Sequence, residues 1–520
     1  MYPELADLLI GEGRLPEAQQ VLNMLKEEEY FDFVRRDAAK ADSLATRSAL
    51  SPHEAEVERR YREIADQLTT LGTERGALLQ KTTPTPEEER RLARLDKDLE
   101  VAGQKFQAFL KDLPKEFSDV KWAEDTVVKE LREARALKSG LRELGAGTVA
   151  LYTVVSEERY HVILFTPDLQ IARQYQIAPA ELNRKVLDFR QALQNPKSDP
   201  RPLAQALYRI LVAPVEGDLR GAQAKTLLWS LDGVLRYLPV AALHDGQAYL
   251  AERYRNVVFT PASMVSLKDP PSEVWKALGL GVSQAHEGFD ALPSVVDELG
   301  GIIRRTGMSE GVLPGEIKLD AAFTKDTMLA SLRQRYPVVH IASHFQFHPG
   351  DETASFLLLG DGNHLPLAEI DSSAYQFFDG VELLALSACN TATGGAGADG
   401  KEIEGFGVLA QHQGAKAVIA TLWPVADAST KALMQTFYRL RGETRSETTK
   451  AEALRQAQLS LLHGELQDRA PGDTTRSAVL VPEGAAGKDG AALPAYASDP
   501  RAPYAHPYYW APFILIGNSR

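Results

Sequence analysis

One cysteine, Cys389, stands in 520 residues. No internal disulfide can form, which fits a reducing compartment. The formal charge is −13 and no long Lys/Arg block interrupts it. Binding to nucleic acid by neutralising phosphates therefore has little to work with. No apolar run reaches the ~18–20 residues that cross a bilayer. The opening "MYPELADLLIGEGRLPEAQ" is acidic and helical in pattern, without the basic start, apolar core and small-residue cleavage site of a signal peptide. The chain reads as cytoplasmic, with neither nucleic acid nor membrane as a partner. The glycines of "TGGAGADGKE" do not make the G-x-x-x-x-G-K-[ST] phosphate loop. His340, His344 and His348 recur every fourth residue, but in a strand-like segment. Four strand residues span ~13 Å, too far to share one ion. Neither a metal nor a cofactor is expected.

What is present is ordinary in amount, 44% hydrophobic and 25% charged residues, and uneven in texture. A chain of this length suggests two to four domains. In residues 1–45, Leu5, Leu9, Leu15, Ala18, Leu22 and Leu25 recur at helical spacing, broken by "GEGR" at 11–14. Two short helices around a tight turn form the unit of a helical repeat, and "GRLPEAQQVL" resembles the second half of a tetratricopeptide repeat. It reads either as the end of an array or as a docking helix pair. Residues 51–143 contain two heptad seams, Val57 to Leu71 and Leu92 to Phe109, separated by "KTTPTPEEE". The prolines stop one helix and Thr85 can cap the next, predicting an antiparallel helical hairpin or coiled-coil arm.

From about 145 onward, short β-branched or aliphatic runs alternate with helical stretches. They include "TVALYTVVS", "KALGLGVS", "YPVVHIASH", "SFLLLG", "VELLALSA", "AKAVIATLW" and "APFILIG". Helices are predicted at 291–306, 321–335, 402–413, 428–442 and 447–463. This alternation predicts an α/β fold with a largely parallel sheet. The Pro-rich segment 258–273 divides it into 145–270 and 275–520. Residues 464–505, rich in Gly, Ala, Pro and Asp, read as a long mobile loop.

Two of those strands end in reactive side chains. Cys389 follows "VELLALSA" where the chain enters a glycine-rich loop, and His344 follows "YPVVHIAS". If the strands are parallel, thiol and imidazole reach one edge of the sheet, where ligands of open α/β sheets collect. A lone cysteine is otherwise usually a small buried hydrophobe. A thiol nucleophile needs a base and proton donor, and a small loop lets backbone N–H groups approach an oxyanion. His340, inside its strand, reads as a core histidine, and Trp423 as core too.

The ordered set "VVHIASHFQF", "SFLLLG", "LLALSACNTATGG", "GFGVLAQHQGAKAVIATLWPVADAST" and "YYWAPFILIG" resembles the CHAT-type caspase-like cysteine peptidases, relatives of caspases and separase. The resemblance spans roughly 145–520. It implies a caspase-like three-layer α/β sandwich, with a degenerate half at 145–270 packed on a catalytic half at 275–520, behind an all-α region. It implies cysteine endopeptidase activity on a protein or peptide substrate, with Cys389 as nucleophile and His344 as its partner. The backbone N–H groups of Phe345 and Cys389 would form the oxyanion hole; the family's usual glycine is replaced by Phe345. It places Asp427 and Ser355 at a substrate pocket suited to basic residues, although Asp427 is equally suited to capping the helix that follows. The helical N-terminal region would engage a regulatory protein. The alternative is a catalytically silent scaffold of the same fold.

Overall fold

The computed structural model describes residues 2–11, 13–35, part of 85–101, 137–307, 309–346, 355–371, 376–387, 401–423, 427–443, 448–466 and 493–520. The chain divides into two compact units, Met1–Asp37 with Ala134–Arg520, and Ala38–Glu133. Most of the heptad hairpin lies outside the described residues. Its second helix start is described: Glu88 N–H donates to Thr85 Oγ1 at 3.3 Å, and Thr85 N–H to Glu88 Oε2 at 2.8 Å. This is a reciprocal cap of the kind the sequence suggests.

The larger unit is built on a mixed sheet. Its strands are β1 (Thr148–Val155), β2 (Arg159–Phe165), β3 (Gln170–Gln176), β4 (Thr226–Ser230), β5 (Arg255–Val258), β6 (Ala277–Gly281), β7 (Ile303–Arg304), β8 (Leu313–Leu319), β9 (Val338–Ala342), β13 (Leu383–Leu386), β14 (Ala417–Thr421) and β15 (Phe513–Gly517). They are ordered β3-β2-β1-β4-β5-β15-β14-β13-β9-β6-β8-β7. Pairing is parallel except where β2 meets β1 and β3 and where β15 meets β14. Strands β4, β6, β9, β13 and β14 are buried throughout, which is why their sequences are continuous apolar runs rather than alternating ones. Strand β15 pairs with β5 and joins the 145–270 and 275–520 portions into one sheet. A second, antiparallel sheet contains β10 (Phe345–Gln346), β11 (Phe356–Leu358) and β12 (His364–Pro366). "SFLLLG" therefore belongs to this small sheet and not to the core sheet its composition suggests.

Helices α1 (Tyr2–Gly11), α2 (Leu15–Arg35), α3 (Ser294–Ile302), α4 (Lys401–His412), α5 (Asp427–Glu443) and α6 (Lys450–Leu462) complete the layers. Gly407 of α4 packs on Ile516 of β15, while Leu454 and Gln458 of α6 border Phe513 and Leu515, alternate positions of the same strand. Because successive strand side chains point to opposite faces, α4 and α6 cover opposite sides. Helices α3, α5 and α6 pack side by side, and α4 packs with α2.

The first helices are not a free-standing segment. Ala6, Leu9, Ala18, Val21 and Leu22 are buried in the same core as β1 and β2. Gln19 donates to the Tyr152 hydroxyl at 3.3 Å, Lys26 reaches the Leu231 carbonyl, and Glu29 pairs with buried Arg236. The 137–144 helix likewise buries Leu137 and Leu141 in this core, so it leaves the expected 51–143 arm. The 464–505 loop is also corrected in part. Its described end is pinned: Asp199 N–H donates to Pro494 O at 2.8 Å, Tyr496 N–H to Lys197 O at 2.9 Å, and Tyr504 is buried. Backbone pairing holds it where composition alone suggests mobility.

Candidate active site

The parallel ladder of β9 and β13 sets the site's geometry. Val338 pairs with Leu383, Val339 with Leu384, His340 with Ala385 and Ile341 with Leu386, a constant offset of 45 positions. The Ser387 N–H donates to the Ile341 carbonyl at 2.8 Å, carrying that offset past the strand end. His344 and Cys389 are separated by the same offset in sequence. Cys389 itself lies outside the described residues.

His344 sits between β9 and β10, half-buried at the carboxyl end of the sheet. The turn is fixed on both sides. Ser343 Oγ donates to Leu358 O at 2.7 Å, and the His344 carbonyl accepts from Leu358 N–H at 2.9 Å. The imidazole is oriented by the backbone, since Nε2 lies 2.8 Å from the Asp290 carbonyl oxygen. A carbonyl only accepts, so this contact places the proton on Nε2 and leaves Nδ1 as the basic nitrogen. The Phe289 ring packs on the imidazole with centroids 5.1 Å apart.

The loop bearing Asp290 is itself held. His286 and Phe289 exchange backbone hydrogen bonds at 3.0 and 2.9 Å, and Leu292 N–H donates to Ser283 O at 3.0 Å. Asp320, at a φ of +47°, accepts from Ser283 N–H and Ser283 Oγ, both at 2.6 Å. Sequence reasoning missed Phe289, Asp290 and Asp320. Asp290 acts through its main chain, which leaves no side-chain signature. Asp320 is a solitary acidic residue with nothing local to mark it.

Phe345 begins β10, opposite Leu357 of β11. Because the His344–Leu358 pair is hydrogen-bonded, the antiparallel alternation makes Phe345–Leu357 a non-bonded pair, with the Phe345 N–H facing away from β11. The side chain is buried against Phe406, ring centroids 5.2 Å apart. Phe345 is not among the residues of positive φ, so no glycine is required there.

The other expected residues fall as follows. Ser355, just before β11, is fully buried, and its carbonyl accepts from Leu367 N–H at 2.8 Å. Asp427 is the first residue of α5, a few positions beyond β14, but its side chain lies outside the described residues. Trp423 is buried, with Nε1 donating to Tyr508 O at 3.1 Å. His340 is a satisfied core residue, its Nδ1 3.0 Å from the Tyr438 hydroxyl and its Nε2 3.1 Å from Glu298 Oε1. Burial, aided by the Glu298 charge, pushes the Tyr438 phenol well up. It therefore stays a donor to Nδ1, and Nε2–H points to Glu298. The 340 and 344 imidazoles thus have different surroundings although four residues apart.

Residues 201–518 match the CHAT domain, and the chain belongs to that family. It is similar to mouse (Mus musculus) tetratricopeptide repeat protein 28, with 25% identity over 313 residues. That match covers 50% of this chain and 12% of the mouse protein's length. Among solved structures it is similar to the Arg specific cysteine proteinase gingipain R at a TM-score of 0.34 and 10% identity, covering 65% of this chain and 75% of that one. A complex of the Porphyromonas gingivalis RgpB pro- and mature domains gives 0.31 and 9%, over 66% and 78%. Among the described residues, no helix is long and apolar enough to cross a membrane.

Proposed function

We propose that this chain is a cysteine endopeptidase acting through a dyad of Cys389 and His344. One observation supports the reading: the β9–β13 offset of 45 equals the sequence separation of the two residues, so a ladder continued by three positions would bring 389 beside 344. Neighbouring strands lie ~4.8 Å apart, within reach of a thiol and an imidazole.

In the proposed reaction His344 Nδ1 takes the thiol proton and the thiolate attacks a peptide carbonyl. The Phe345 and Cys389 N–H groups receive the oxyanion. His344 then protonates the leaving amine, and water hydrolyses the acyl-enzyme. The Asp290 carbonyl keeps the imidazole in the required tautomer and stabilises it when protonated. No cofactor takes part.

The substrate is a protein or peptide. Because β14 runs parallel to β13, the start of α5 falls at the same sheet edge as His344. Asp427 is thereby suited to a basic P1 side chain, whereas buried Ser355 shapes the pocket wall from behind. Residues 38–133 are the region suited to a regulatory partner, since α1 and α2 are already committed to the core.

A peptide-based electrophile tests the dyad. Intact-mass analysis should show one adduct, lost in Cys389→Ala and formed at least ~100-fold more slowly in His344→Ala. Labelling of His344→Ala at the parent rate, with unchanged folding by circular dichroism, would remove His344 from the mechanism. No adduct with any P1 residue would favour the scaffold.

A further inference from the structure

At the opposite, amino-terminal edge of the sheet lies a cavity of about 990 Å3. It is bounded by residues just before β6, by the start of β8, by β7 and by the last half of α5. Strands β6, β8 and β9 are mutually parallel, so this edge is the one away from His344.

The lining is cationic. Arg304, Arg439 and Arg441 come from β7 and α5, and among the described residues the lining holds one carboxylate, that of Glu273. Arg304 and Arg439 are exposed, and among the described residues neither side chain makes a hydrogen bond or ion pair. Arg441 is different. It is 2% exposed, its guanidinium stacks 4.6 Å from the centroid of the Trp275 ring, and one terminal nitrogen meets Glu382 Oε1 at 3.4 Å. Its Nε is buried with no partner, as is Nε1 of Trp275, which is 4% exposed.

Structural needs explain part of this. The last turn of a helix favours cations, which accounts for Arg441. It does not account for Arg304, which sits on another element. It also leaves two buried N–H donors, Arg441 Nε and Trp275 Nε1, without a partner beside the same cavity. Burial pushes the Arg441 pKa down, with Glu382 opposing, so the site disfavours this charge as it stands.

We propose that this cavity binds a small phosphorylated molecule, its phosphoryl groups held by Arg304, Arg439 and Arg441. Arginine forks match phosphoryl oxygens bidentately, and a volume of this size accommodates a nucleotide-sized ligand. A carboxylate-rich peptide shares the negative charge but not the compact set of oxygens that arginine forks bind bidentately. The site is independent of the Cys389–His344 reading.

The test is calorimetric titration of the full chain with inorganic pyrophosphate and with ATP, alongside a polyglutamate peptide. Saturable binding of pyrophosphate or ATP is expected, weakened at least ~10-fold in the double variant Arg304→Ala/Arg439→Ala. Both side chains are exposed, so the variant should melt at the parent temperature without ligand. No saturable heat at millimolar ligand, parent-like affinity in the double variant, or binding of polyglutamate alone would each overturn the proposal.

Discussion

His340 and His344 show how far residue chemistry can be read from sequence. The apolar strand around "VVHIASH" places one inside and the other at the end, and that assignment matches the Glu298–His340–Tyr438 network and the half-buried His344. The network's partners were not legible, because Glu298 and Tyr438 arrive from helices 42 and 98 positions away. Removing one of them should expose the difference in duty. Glu298→Ala strands a buried imidazole N–H and should cost about 1–3 kcal/mol in urea denaturation. The rate of electrophile labelling at Cys389, measured well below the melting temperature, should stay the same. A fall in labelling as large as that of His344→Ala would mean that the core histidine belongs to the site.

Among elements, the strands buried on both faces announced themselves and the edge strands did not. Strand β3, "QIARQYQ", is mostly exposed and polar at the sheet's end, with Arg173 its one charge, as suits an edge that avoids further pairing. Strand β8, "LPGEIKL", carries a proline and a glycine that argue against a strand. The structure supplies the reason for the glycine: a methyl at Gly315 would collide with the Ala277 backbone of β6. Gly279 and Gly281 of β6 serve their neighbours in the same way, their missing side chains leaving room for Leu299 of α3 and Ile303 of β7. We expect Gly315→Ala to destabilise by at least ~1–3 kcal/mol and to lose amide protection in β8 before the rest of the sheet. Uniform protection with parent stability would show that the β6–β8 pair can yield without loss.

For the whole molecule, the division into units differs from the division by composition. Residues 1–45 read as a repeat-like pair, but α1 and α2 close the core over β1 and β2, where Leu9, Val21 and Leu22 are each worth ~1.5–3 kcal/mol of burial. Deleting 1–37 should therefore give an aggregating or non-cooperatively melting protein. Replacing 38–133 by a short flexible linker should keep a single sharp transition, since those residues form a compact unit of their own. Calorimetry on both deletions reads the outcome, and equal melting of the two would contradict the shared core. By itself the sequence determined the alternation of strand and helix, the position of His344 at a strand end and the absence of any disulfide, all of which are written in local pattern. Only the tertiary structure decided that β9 and β13 lie side by side with an offset of 45, that Asp290 orients His344, and that three arginines share one cavity. Those facts depend on pairing between segments far apart in the chain, and local pattern fixes which residues a strand buries but not which strand it will meet.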